Sequence, residues 1–279
     1  MNIYIEYFQT LKAYLSLLGI DKNTGLAGCS DEEIASLIRE KGELPATYEA
    51  YLRTIGKKFL FDFMDAENMA YDHLGDINQF ALRTFKRNAR EPESPFLVIS
   101  ERRYEYISLI HMGEDDPQVW IMSEFWDSRD GENLTIRNNS FTELINSFFR
   151  RCLSGYPASF GWVPEGEDRA AYIDMQFKAW EDGINGIAEQ ISSAGAGIHN
   201  PLVISLNQIF LEFYAVDVLN NSAGSGSPPT ETEEGNELMN RFLNDLANLK
   251  DSHSVEKSFN WGLVAVAVII VLLLIKLLM

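Results

Sequence analysis

Residues 96–110 read FLVISERRYEYISLI, and this stretch decides the fold. Phe96-Leu97-Val98-Ile99 is a strand signal, Glu101 to Arg103 a polar turn, and Tyr104 to Ile110 a second strand rich in aromatic and β-branched residues. Downstream, Glu114 to Pro117 turns the chain into a third strand at Gln118 to Met122, which Phe125 and Trp126 continue. Asp127 to Glu132 then turns, and Leu134 and Ile136 make a short last run. Upstream, Phe59, Phe61 and Phe63 alternate as a short strand would.

Helical spacing brackets this sheet. Tyr4, Phe8, Leu11, Leu15 and Leu18 recur every three or four residues. Ser30 with Glu33 three positions on is a capping-box pattern for a helix over 31–41 that Gly42 ends. Pro45 opens the next helix, with Tyr48, Tyr51, Leu52 and Ile55 on one stripe. Tyr71 to Arg87 has Ile77, Phe80, Ala81 and Phe85 inward, and Ser140 with Glu143 starts a closing helix that buries Phe141, Leu144, Ile145, Phe148 and Phe149. Helices first, then a small antiparallel sheet, then a closing helix make an α+β domain over 1–155. A helical extension follows at 156–220. One helix there turns Ile173, Phe177, Trp180, Ile184, Ile187 and Ile191 inward, and Gly183 and Gly186 weaken it.

Composition limits the partners. Among 279 residues, 41 Asp and Glu face 23 Lys and Arg, a formal net charge of -18. That balance argues against nucleic acid and against loose adsorption to anionic lipid, and favours a basic partner. The C-terminal segment differs from the rest. Leu263 to Ile275 is unbroken apolar sequence, Trp261 stands where an interfacial aromatic is expected, and Lys276 could snorkel. The expectation is a transmembrane anchor at 259–279 of tail-anchored, single-pass type, with the bulk of the chain in the cytosol. A flexible linker at 221–236 and an amphipathic, juxtamembrane segment at 237–258 precede it.

The order of motifs resembles the SMI1/KNR4 domain, or SUKH superfamily. The resemblance rests on the helix start Ser30-Asp31-Glu32-Glu33-Ile34 and on Leu44-Pro45-Ala46-Thr47-Tyr48-Glu49-Ala50-Tyr51-Leu52. It continues through Phe96 to Ile99 with Tyr104 to Ile110, Gln118-Val119-Trp120-Ile121, and Asn139-Ser140-Phe141-Thr142-Glu143-Leu144-Ile145. Where that family has Asn-Gly-Gly after the Leu-Pro helix, this chain has Gly56-Lys57-Lys58. The resemblance implies an SMI1/KNR4-like binding scaffold without shared catalytic residues, as in immunity proteins against toxins and in regulators acting by protein contact.

Residues with chemistry are sparse. Cys29 and Cys152 are too few for a disulfide framework or a four-thiolate zinc site. His73, His111, His199 and His253 stand far apart, and the acidic neighbourhood of His73 lacks calcium-loop spacing. The sequence has neither a Gly-x-Ser-x-Gly elbow nor a phosphate-cradling glycine loop. No catalytic residue, metal or cofactor is therefore expected. The candidate partner-binding surface is Trp120, Phe125 and Trp126 beside Asp115, Asp116, Asp127 and Asp130, aromatic anchors with a charged rim. Together these readings give a noncatalytic protein-binding module held at a membrane. Immunity-type neutralisation of a basic toxin domain leads, with a membrane-anchored scaffold or host-interaction protein, and an unrecognised enzyme, as alternatives.

Overall fold

A computed structural model describes residues 2–20, 25–58, 60, 63, 67–88, 95–123, 134–154, 166, 168–194 and 198–224. The chain divides into two units, Met1–Pro228 and Pro229–Met279, and every described residue lies in the first. The helices are α1 Ile3–Leu17, α2 Asp31–Lys41, α3 Ala46–Thr54, α4 Leu74–Asn88, α5 Phe141–Ser154, α6 Arg169–Ala194 and α7 Pro201–Gly224, with a 3₁₀ turn at Tyr71–His73. The strands are β1 Glu67–Asn68, β2 Phe96–Arg102, β3 Tyr106–His111, β4 Val119–Ser123 and β5 Leu134–Asn138. They pair in chain order, every neighbour antiparallel, so the sheet is a meander within a mostly helical α+β fold.

Local chemistry explains the boundaries. Glu33 N–H donates to Ser30 Oγ (3.3 Å) while Ser30 N–H donates to Glu33 Oε2 (2.8 Å), closing the capping box of α2. At α5, Glu143 N–H donates to Ser140 Oγ (3.0 Å), but the Glu143 carboxylate reaches one residue further back, to Asn139 N–H (2.7 Å). The core between α1, α3 and α5 is aromatic. The Tyr7 and Phe8 rings lie 4.9 Å apart, Tyr48 and Phe141 5.5 Å, and Tyr51 and Phe141 5.6 Å, mostly edge to face. Helix α4 lies along β2, with Phe85 on Phe96 (5.4 Å) at one end and Phe80 on Tyr104 (5.7 Å) at the other.

The extension packs on α1. Tyr14 Oη donates to Asn207 Oδ1 of α7 (2.7 Å, buried). Asn200 caps α7 by accepting from Leu202 N–H (3.0 Å), and its amide donates to the Ile3 carbonyl (2.7 Å). Gly183 is there for close approach rather than as a weak point. A Cβ at that position would stand 2.3 Å from the Leu17 carbonyl oxygen.

Several expectations need correction. The β2–β3 turn comes two residues later than its composition suggested, because Arg102 still pairs with Tyr106 and the turn is Arg103 to Glu105. Near Leu60 the chain makes no ladder: Phe63 N–H donates to the Leu60 carbonyl three residues back (3.1 Å), a helical-turn bond. Phe59 and Phe61 lie outside the described residues. The two-residue strand β1 carries no alternating pattern that would have announced it. The transmembrane helix is also corrected. Among the described residues, no helix is long and apolar enough to cross a membrane. The longest, α6 and α7, have the length at 26 and 24 residues. However, α6 carries Asp174, Lys178, Glu181, Asp182 and Glu189, and both helices use their apolar sides against α1. The stretches 237–258 and 259–279 lie outside the described residues, and α7 continues to Gly224, into the stretch expected as linker.

Candidate functional site

The surface expected from sequence divides. The β3–β4 turn ties two helix starts together. The Asp115 carbonyl accepts from Thr47 N–H (2.9 Å) and Oγ1 (2.8 Å) at the first turn of α3. The Asp116 carboxylate accepts from Thr142 N–H (3.0 Å) and from the Thr142 hydroxyl at the first turn of α5, where the helix dipole favours an anion. Trp120 is half-buried in β4, edge-on to His111 (5.7 Å), and its Nε1–H is buried without a hydrogen-bond partner. Asp115 and Asp116 thus join helices, and Trp120 belongs to the sheet. Phe125, Trp126, Asp127 and Asp130 lie outside the described residues.

A buried polar cluster went unnoticed in the sequence. Glu67 of β1 is 1% exposed. Its Oε1 accepts from Ser100 Oγ (2.6 Å), Ser108 Oγ (3.2 Å) and an Arg137 guanidinium nitrogen (2.6 Å), and that nitrogen also donates to Ser108 Oγ (3.0 Å). The Arg137 guanidinium carbon lies 5.9 Å from the centre of the Phe148 ring of α5. Glu67 and Arg137 come from the two edge strands of the meander. Four flat inter-strand steps would put those edges roughly 19 Å apart, so the sheet must curl for the pair to meet. Two bulges supply the curl. Ile99 is extra between the pairs Val98–Leu109 and Ser100–Ser108, and Arg137 is extra between Asn138–Val119 and Ile136–Trp120. The cluster is a clasp whose charges satisfy one another.

The remaining reactive groups serve the scaffold as well. Cys29 is buried, and burial together with the nearby Glu33 charge pushes its thiol up to about 12, against the opposing pull of Lys57. That disfavours the thiolate a nucleophile needs. Lys57 Nζ donates to Glu33 Oε1 (2.7 Å), and that bond, with the Ser30 N–H, holds the Glu33 carboxyl below the usual carboxylate range. Among the described residues, no group of three or more His, Cys, Asp or Glu is placed to hold a metal ion.

One surface remains without a scaffold role. The tip of the β2–β3 hairpin holds Arg103 at φ 51° and Tyr104 at φ 56°, and Glu105 N–H donates to the Arg102 carbonyl (2.9 Å). Left-handed backbone at both central residues is the sign pattern of a type I′ turn, where Asn-Gly is preferred. Each non-glycine residue there costs about 1–2 kcal/mol. Tyr104 is 62% exposed, and its N–H donates to Glu101 Oε2 (3.0 Å). Its ring meets Phe80, which the Arg83 guanidinium overlies at 5.7 Å. Leu82, 65% exposed, and the exposed Lys86 continue this surface along α4. The sequence reading missed it by placing Tyr104 in a strand. The available signal was the run Arg102-Arg103-Tyr104 in a chain this acidic. No protein family, curated protein or solved structure matches the chain, so no relative supports toxin immunity, a basic partner or a bilayer-held role; these expectations, and the tail-anchored placement, are not carried further.

Proposed function

We propose that this chain is a noncatalytic recognition domain of SMI1/KNR4-like build, and that its ligand-binding surface is the β2–β3 hairpin tip with the adjoining outer side of α4. The observation that carries the reading is the turn itself: two residues suited to contact occupy two positions suited to Asn and Gly. Unfavourable backbone kept at an exposed tip is typical of sites selected for something other than stability. The noncatalytic part draws support from the polar groups elsewhere. Glu67, Asp116, Glu33 and Cys29 are each engaged or buried in ways that serve the fold.

A test without any ligand follows. The double substitution Arg103→Asn, Tyr104→Gly relieves the left-handed strain but loses the Tyr104–Phe80 ring contact, worth about 0.5–1.5 kcal/mol. The variant is expected to be between equally stable and about 1 kcal/mol more stable in urea unfolding. A loss above about 1 kcal/mol would show that the turn is built for folding, and the recognition reading would fall.

A further inference from the structure

The chemistry of the ligand can be read from the same surface, and the inference rests on the recognition reading above. Arg83, Lys86 and Arg103 are exposed around Tyr104 and Leu82. Arg87 and Arg102, which have contacts of their own, add to the positive field. Glu101 and Glu105 oppose it, and the Glu101 carboxylate accepts the Tyr104 N–H. Basic residues near the end of α4 complement that helix's dipole, which accounts for Lys86 and Arg87. It accounts for neither Arg103 nor Tyr104, which sit on the neighbouring hairpin.

We infer that this surface takes an acidic polypeptide segment bearing an apolar side chain: its carboxylates on Arg83, Lys86 and Arg103, its apolar group against Tyr104 and Leu82. Charge complementarity selects the occupant. The chain as a whole carries -18, so an acidic segment is repelled except where this basic surface faces it, which fixes where it docks. A nucleic acid fits less well. Duplex DNA carries a charge about every 1.7 Å along its axis and would extend its phosphates past the patch onto an acidic surface. The exposed tyrosine and leucine add an apolar anchor of the kind found at the centre of protein contacts.

The test is fluorescence anisotropy with the full chain at low salt. The probes are a labelled peptide of mixed glutamates and leucines, its counterpart with lysine for glutamate, and a labelled single-stranded oligothymidylate. The glutamate peptide should bind tightest, with affinity falling about tenfold or more on moderate salt addition. Arg83→Glu should weaken it by about tenfold or more. Arg103→Asn with Tyr104→Gly, expected to fold at least as well as the parent, should do the same. The inference is overturned if the oligothymidylate or the lysine peptide binds tighter, if the variants bind the glutamate peptide unchanged, or if the glutamate peptide does not bind. Should the double variant keep its stability while the glutamate peptide fails to bind, the partner assignment falls and the recognition surface stands. Should that variant prove destabilised, the recognition reading itself falls.

Discussion

Replacing Glu67 by alanine tests whether the clasp holds the curled sheet. The carboxylate is 1% exposed and bonded to Ser100, Ser108 and Arg137. Glu67→Ala leaves the Arg137 guanidinium without its counter-charge and takes an acceptor from two buried hydroxyls. Breaking one side of a buried ion pair costs about 3–5 kcal/mol. The Arg137 side chain keeps 19% exposure, so water can reach it in part, and the lower end, about 3 kcal/mol, is the expected loss. With a urea slope of about 1–3 kcal/mol per molar, the unfolding midpoint should drop by about 1–3 M. Arg137→Ala should be similarly harmful, and the double variant should cost less than the sum by about 1 kcal/mol or more. Replacing the pair together, Glu67→Leu with Arg137→Met, should recover most of the loss, since an apolar pair leaves no orphaned charge. A loss below about 1 kcal/mol for Glu67→Ala, or strict additivity of the two alanine substitutions, would refute the clasp.

Three further outcomes are expected. Gly183→Ala places a methyl 2.3 Å from the Leu17 carbonyl, and although alanine gains about 1 kcal/mol of helix propensity, overpacking of about 1–3 kcal/mol should prevail; urea unfolding that shows a gain would contradict the close approach of α6 to α1. Asp116→Ala removes the acceptor at the first turn of α5 and should cost about 1 kcal/mol, read from the thermal midpoint. Cys29 has its folded thiol raised from the ordinary 9.0 to about 12, so the folded state binds this proton more tightly. Its contribution is fully present below pH 9 and is lost as pH rises toward 12, and the fall in stability across that window should be smaller in Cys29→Ser.

The sequence displayed most of the architecture and little of the surface. Periodicity located α1, and the capping patterns at Ser30 and Ser140 marked two helix starts, because in both cases the information lies within a turn of helix. Apolar runs located β2 through β5 for the same local reason. What failed was non-local. The register that keeps Arg102 in the strand depends on its pairing with Tyr106, and only that pairing puts Tyr104 at the tip. Glu67 and Arg137 stand 70 residues apart and meet only because two bulges curl the sheet. Gly183 looked like a weak point in a helix, since the carbonyl it makes room for belongs to α1. The acidic Asp115-Asp116 pair looked like a binding rim, and its bonds to Thr47 and Thr142 were beyond any spacing rule.

The central claim, recognition through the hairpin tip and α4, is tested most directly by following backbone amide resonances while the full chain is titrated with the glutamate–leucine peptide. The account predicts that the resonances that move belong to residues 79–87 and 101–106, and that they stay in place when Arg103→Asn and Tyr104→Gly are introduced. Movement centred instead on residues 114–120 or on α2, with 101–106 unchanged, would contradict it.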